Sequence, residues 1–196
     1  AEQLESAGHV LEAAKLRESI SDFARAAALF ENSGNLLRAA DTWRQAGEWA
    51  KAGRLFEQAA DYAKAVDCYR RAGDDAGLSG ALERQGAHFE AAQIALASGD
   101  RARAIRLLQQ IHTSHAAYPQ ACEKLAEAFE HEGHSDLAAH KLEELIRVSA
   151  PGRVPADTYS RLAELLERVE ENERALEVLE DLRRREPTFP HVASRI

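Results

Sequence analysis

GNLLRAADTWRQAGEWAKAGRLFEQAA, residues 34–60, contains one short pattern twice over. A turn residue (Gly34, Gly47, Ala60) comes every thirteen positions, a small residue (Ala39, Ala52) stands five later, and bulky residues (Trp43, Leu55 with Phe56) stand eight or nine later. Thirteen residues make one short helix plus its turn, so the stretch reads as successive helices of equal length. Working outward, the spacing runs without an insertion from Gly8 and Ser21 to Gly73, Gly86 and Gly99. The small position continues as Ala13, Ala26, Ala65, Leu78, Ala91 and Ala104, where two helix axes must approach closely. The large position continues as Leu16, Leu29 with Phe30, Tyr69, Leu82, and Leu107 with Leu108. Asn35, Glu48, Asp61, Asp74 and Asp100 follow turn residues and are placed to cap the next helix. The turn glycines suit the left-handed conformation that ends the preceding one.

Composition narrows the functional classes. The 196 residues are 45% hydrophobic, enough for a continuous core built from neighbour-to-neighbour contacts. There is no apolar run of membrane-spanning length and no signal-peptide start. The chain begins at Ala1, contains no Met, and is read as a piece of a longer protein. Five lysines against twenty arginines, beside many alanines, suggest a GC-rich bacterial genome, and the two cysteines, read as free thiols, fit a reducing, cytoplasmic setting. Cys68 and Cys122 fall at core-type positions and are expected as free buried thiols. His112 with His115, and His131 with His134, straddle turns and lack partners at ligand spacing, so no metal site is expected. No phosphate loop, nucleophile elbow or nucleotide-binding strand is present; the chain is read as non-enzymatic, without cofactor. A pI near 5.5 and a net charge of −8 work against nucleic-acid binding. Only the ridge of Arg44, Arg70 and Arg71 offers phosphate a place.

The rhythm changes in the second half, where Pro119, Pro151, Pro155, Pro187 and Pro190 replace glycine as punctuation. Lys124-Leu125-Ala126-Glu127 is echoed by Arg161-Leu162-Ala163-Glu164 at an offset that fits a 34-residue unit with three residues added in the loop holding Pro151, Gly152 and Pro155. Residues 156–189 resemble a tetratricopeptide repeat through Tyr159, Leu162, Ala163, Leu166, Ala175, Leu179, Leu182 and Pro187. Residues 119–152 resemble it through Cys122, Leu125, Ala126, Phe129, Ala138, Leu142 and Leu145. Residues 85–118 match more loosely, and 8–84 are similar to the compact repeats of SNAP-type and coat-type solenoids, as in Ala46-Gly-Glu-Trp-Ala-Lys-Ala52.

The resemblance implies an all-α, right-handed α-solenoid of antiparallel helical hairpins. Its expected organisation is a short-period array over 1–118, two more regular units over 119–189, and the start of a further helix over 190–196, in one continuous solenoid. In that family the first helix of each hairpin lines a concave, partner-binding face. The corresponding residues here include Glu123, Glu127, Glu130, Glu164 and Glu167, with Arg44 and Arg70 upstream and Phe89 as an apolar hot spot. Residues 119–196 hold 11 basic and 17 acidic residues, net −6, against 14 and 16, net −2, for 1–118. The functional expectation is a non-catalytic protein-binding adaptor of a larger protein whose acidic second half takes a basic or helical segment. Self-association through solenoid ends is the alternative, and RNA binding by a helical repeat a distant one.

Overall fold

The turn residues set the architecture. In the computed structural model, which describes residues 9–150 and 152–190, Gly34, Gly47, Gly73, Gly86 and Gly99 all have positive φ, as do Ser21 (61°) and Ala60 (58°) on the same thirteen-residue spacing. No atom lies within 4 Å of a Cβ built on any of these five glycines, so backbone conformation alone selects the residue. Ala60 adopts the left-handed conformation at a cost of about 1–2 kcal/mol that glycine would avoid. At five of these turns the next amide reaches back to the carbonyl of the large residue: Asn35 to Phe30, Glu48 to Trp43, Asp61 to Phe56, Asp74 to Tyr69 and Ala87 to Leu82. This Schellman-type closure fixes the hairpin.

Twelve helices result among the described residues, with no strand. Residues 1–98 form one compact unit and 99–196 another. The first holds α1 (Val10–Ser19), α2 (Phe23–Asn32), α3 (Leu36–Gln45), α4 (Trp49–Gln58), α5 (Tyr62–Ala72), α6 (Asp75–Gln85) and α7 (His88–Ala97). The second holds α8 (Arg101–Leu108), α9 (Tyr118–His131), α10 (Ser135–Val148), α11 (Ala156–Arg168) and α12 (Asn172–Arg185). Within each unit every helix packs on the next in the chain. Helices of eight to eleven residues give way at α9 to helices of thirteen or fourteen. No described helix is long and apolar enough to cross a membrane. Gly8, Pro151 and the helix expected beyond Pro190, with Val192 and Ile196, lie outside the described residues.

The small positions are buried throughout, from Ala13 to Ala104. The large position is filled by Phe30, Trp43, Phe56, Tyr69, Leu82 and Leu108, all buried. In α1 the register differs from expectation by one residue. Leu16 is 43% exposed and Arg17 takes the inward position, its guanidinium donating to Asp22 at 3.1 Å. A long side chain can bury its stem there and send its charge to a carboxylate. Capping also differs in part: Asp61, Asp74 and Asp100 accept from backbone amides three residues on, whereas Asn35 and Glu48 make no side-chain cap. Glu48 pairs with Lys51 instead. Cys68 and Cys122 are free and buried.

Cation–ring contacts follow the same period. Arg38 lies over Phe30 (5.1 Å), Lys51 over Trp43 (4.3 Å) and Lys64 over Phe56 (5.2 Å), so the first turn of one helix covers the aromatic knob of the helix before it. At the next step the cation is absent and Gly77 meets Tyr69. A Cβ on Gly77 would stand 2.5 Å from the Tyr69 ring, and one on Gly53 would stand 2.9 Å from it. The ring is therefore held between α4 and α6, and its hydroxyl donates to Glu57 at 3.0 Å. Trp43 donates likewise to Glu31 at 3.1 Å, one hairpin earlier.

Candidate functional site

In the 99–196 unit, burial decides which way the first helices face. On α9 Cys122, Leu125, Ala126 and Phe129 turn inward, and on α11 Tyr159, Leu162, Ala163, Leu165 and Leu166 do so. Glu123, Glu164 and Glu167 are left exposed, with Glu127 and Glu130 half-buried. The helices meet at one forked contact. Arg161 Nε donates to both Glu130 oxygens at 3.1 Å, and Nη2 donates to Oε2 at 2.7 Å. The Glu130 hydrogen bond raises the guanidinium pKa despite burial, and the charges of Glu127 and Glu123 raise it further. Lys124 donates to Glu127 at 2.7 Å. Glu123 makes no ion pair among the described residues.

The second helix carries a group that sequence reasoning missed. Glu144 of α10 accepts from Lys141 at 2.6 Å, lies 3.4 Å from Arg147 and interacts with the Tyr118 hydroxyl of α9. Burial raises its pKa, but the Lys141 and Tyr118 hydrogen bonds outweigh this and hold the carboxyl below the usual 4.5. Burial and the same carboxylate push Tyr118 above its ordinary value. A depressed carboxyl pKa contributes stability above its unfolded value that is lost as pH falls through the folded one. Glu144→Gln is therefore expected to melt below the parent at pH 7, with the gap narrowing under pH 4.5, as thermal melts by circular dichroism can follow. An equal gap at every pH would show that the carboxylate charge contributes nothing.

Beside the acidic face a cleft of about 530 Å³ opens between the first turns of α9 and α11 and the end of α10. Its apolar walls are Pro119, Leu145, Val148, Val154 and Pro155; Glu123 and Arg153 also line it. The same place in the repeat opens in the 1–98 unit as a cleft of about 510 Å³ lined by Leu11, Leu36, Leu37 and Ala59. Leu11 and Leu37 are 48% and 50% exposed there. The three residues added in this loop were visible in the sequence, but the space lined by Ser149, Ala150, Arg153, Val154 and Pro155 was not.

Arg44, Arg70 and Phe89 belong to the 1–98 unit, and the five glutamates to the other. Arg44 is half-buried and 3.5 Å from Asp41; Arg70 is exposed and 3.8 Å from Glu90. Arg71 lies 3.5 Å from Asp67 and 4.8 Å over the Trp49 ring. Phe89, in the first turn of α7, is half-buried. His112 Nδ1 sits 2.8 Å from the Ser114 hydroxyl, and no cluster of potential metal ligands occurs among the described residues.

Paired helices of thirteen or fourteen residues, closed by a left-handed turn and interleaving Ala126, Ala138, Ala163 and Ala175 with large residues, define the arrangement. The fold is tetratricopeptide-like. No family model and no curated protein matches the chain. Among solved structures it is similar to YrrB, described as a TPR protein with an unusual peptide-binding site, at 18% identity over 98% of this chain and 95% of that one, TM-score 0.46. The TPR domain of P58(IPK) is similar at 14% identity over 95% and 62%, TM-score 0.48. A putative kinesin light chain of Podospora anserina with TPR-like repeats follows at 17% over 92% and 93%, TM-score 0.38. The helices, turns and buried positions of this chain carry the fold by themselves.

Proposed function

We propose that the chain is a non-catalytic interaction module and that it binds a basic or helical segment of another protein on the acidic face of α9 and α11. The observation that carries this reading is the run of Glu123, Glu127, Glu130, Glu164 and Glu167 on two adjacent first helices, where Lys124 pairs with Glu127 and Arg161 with Glu130. Like-signed carboxylates crowded on one face attract cations, speeding encounter and fixing register more than they raise affinity. In the 1–98 unit Arg44, Arg70 and Arg71 each stand near a carboxylate, so their charges are locally balanced. That balance also disfavours phosphate binding at this ridge.

Glu127→Lys combined with Glu164→Lys tests the reading. The charge-reversed pair is expected to lose, in pull-downs from the source cell's extract, proteins that the parent retains, while its melting curve stays close to the parent's. Identical partner sets would defeat the acidic-face reading. Self-association is the second reading, favoured by Leu16 on α1 and Ile20 just past its end, 43% and 63% exposed. Light scattering of the same two proteins separates the readings: a dimer indifferent to the charge reversal supports self-association.

A further inference from the structure

Outside the glutamate run, the feature with the most recognition chemistry is the 530 Å³ cleft beside it. Its walls are apolar: Pro119 and Val154 are half-buried, and Val148 remains 38% exposed at the last residue of α10. An aliphatic or aromatic side chain entering it would cover surface that water now wets. Two opposite charges line the same cleft. Glu123 and Arg153 are both exposed, and among the described residues neither makes an ion pair with the other or with a third group. Elsewhere on α9 and α11 opposite charges within reach do combine, as Glu130 with Arg161 and Lys124 with Glu127. The cleft thus offers an apolar seat with a carboxylate and a guanidinium that make no ion pair among the described residues, Glu123 acting on Arg161 only at longer range. Glu123 continues the acidic face, whereas Arg153 comes from the loop that lengthens this repeat.

We infer that this cleft is the anchor site for an extended segment of a partner protein carrying one apolar residue between a basic residue and an acidic one. The apolar side chain sits against Pro119, Leu145, Val148 and Val154. The basic residue meets Glu123 and leads onto the α9 and α11 glutamates, and the acidic residue meets Arg153. This rests on the acidic-face reading and adds to it a direction and a specificity element: Arg153 rejects a segment that is basic throughout, through like-charge repulsion. Interfaces draw most of their energy from a few anchors seated in pockets, and the charges around them set orientation.

The test is selection of random peptides displayed on phage against the full chain, followed by fluorescence titration of the enriched peptides. Enriched sequences are expected to share a basic–apolar–acidic order. Val148→Asp and Arg153→Glu should each weaken them by about ten-fold, and exchanging the peptide's acidic residue for lysine should restore affinity toward Arg153→Glu. Both positions are exposed, so melting curves should match the parent's, and the exchange experiment holds even if one variant is less stable. If both variants bind undiminished while Glu127→Lys with Glu164→Lys abolishes binding, the anchor site is overturned and the acidic face stands. If neither set changes binding, or nothing is enriched, both fall. A dimer of the chain that Val148→Asp dissolves would overturn the proposal in favour of a second copy as occupant.

Discussion

Gly77→Ala is expected to destabilise the 1–98 unit by about 1–3 kcal/mol, although alanine is the better helix former by about 1 kcal/mol. The cause is steric: the new methyl would stand 2.5 Å from Tyr69 Cε1, 2.6 Å from Cδ1 and 2.8 Å from the Asp74 carboxylate. The ring cannot swing clear, because it is 2% exposed, faces Gly53 on its other contact and is tethered to Glu57 through its hydroxyl. Asp74 is committed too, accepting from the Gly77 amide at 2.9 Å. Both tryptophans, Trp43 and Trp49, lie in this unit, so urea unfolding followed by tryptophan fluorescence reads its stability. Tyr69→Ala combined with Gly77→Ala should cost less than the sum of the single changes, since the clash disappears with the ring. A Gly77→Ala protein as stable as the parent would mean that α4 and α6 do not close on this side chain.

Phe56→Ala is expected to cost about 3–5 kcal/mol in the same unit. Phe56 is fully buried at the large position of α4, its ring lies 5.2 Å beneath Lys64, and its carbonyl accepts the Asp61 amide that closes the turn. Removing the ring leaves a void between helices of ten and eleven residues, too short to hold themselves without packing. Leu37→Ala, by contrast, removes a side chain that is 50% exposed and should change stability by no more than about 0.5 kcal/mol. The urea midpoints of the two variants against the parent make the comparison. Similar losses would place the α4 ring outside the core.

The turns were legible because a left-handed residue and its partner carbonyl are set by local backbone chemistry, and the period exposed them even where Ser21 and Ala60 stand in for glycine. The interleaving of small and large residues was legible for the same reason. What failed was the choice between neighbours: Leu16 looks apolar and Arg17 does not, yet Arg17 is buried because Asp22 accepts its charge. The rings under Arg38, Lys51 and Lys64 went unread, since a contact eight residues along depends on how one helix crosses the next. At the candidate site, helical spacing placed the glutamates on outward positions. It could not give the fork between Glu130 and Arg161 or the space enclosed by Val148 and Val154, which arise from the separation of α9 and α11.

Consecutive helices interlock in fixed register, small residue against large. Nuclear Overhauser contacts from the Tyr69 ring protons measure it most directly in solution. Strong cross-peaks are expected to the α-protons of both Gly53 and Gly77, one on each flanking helix. A Tyr69 ring without a cross-peak to either glycine would contradict that register.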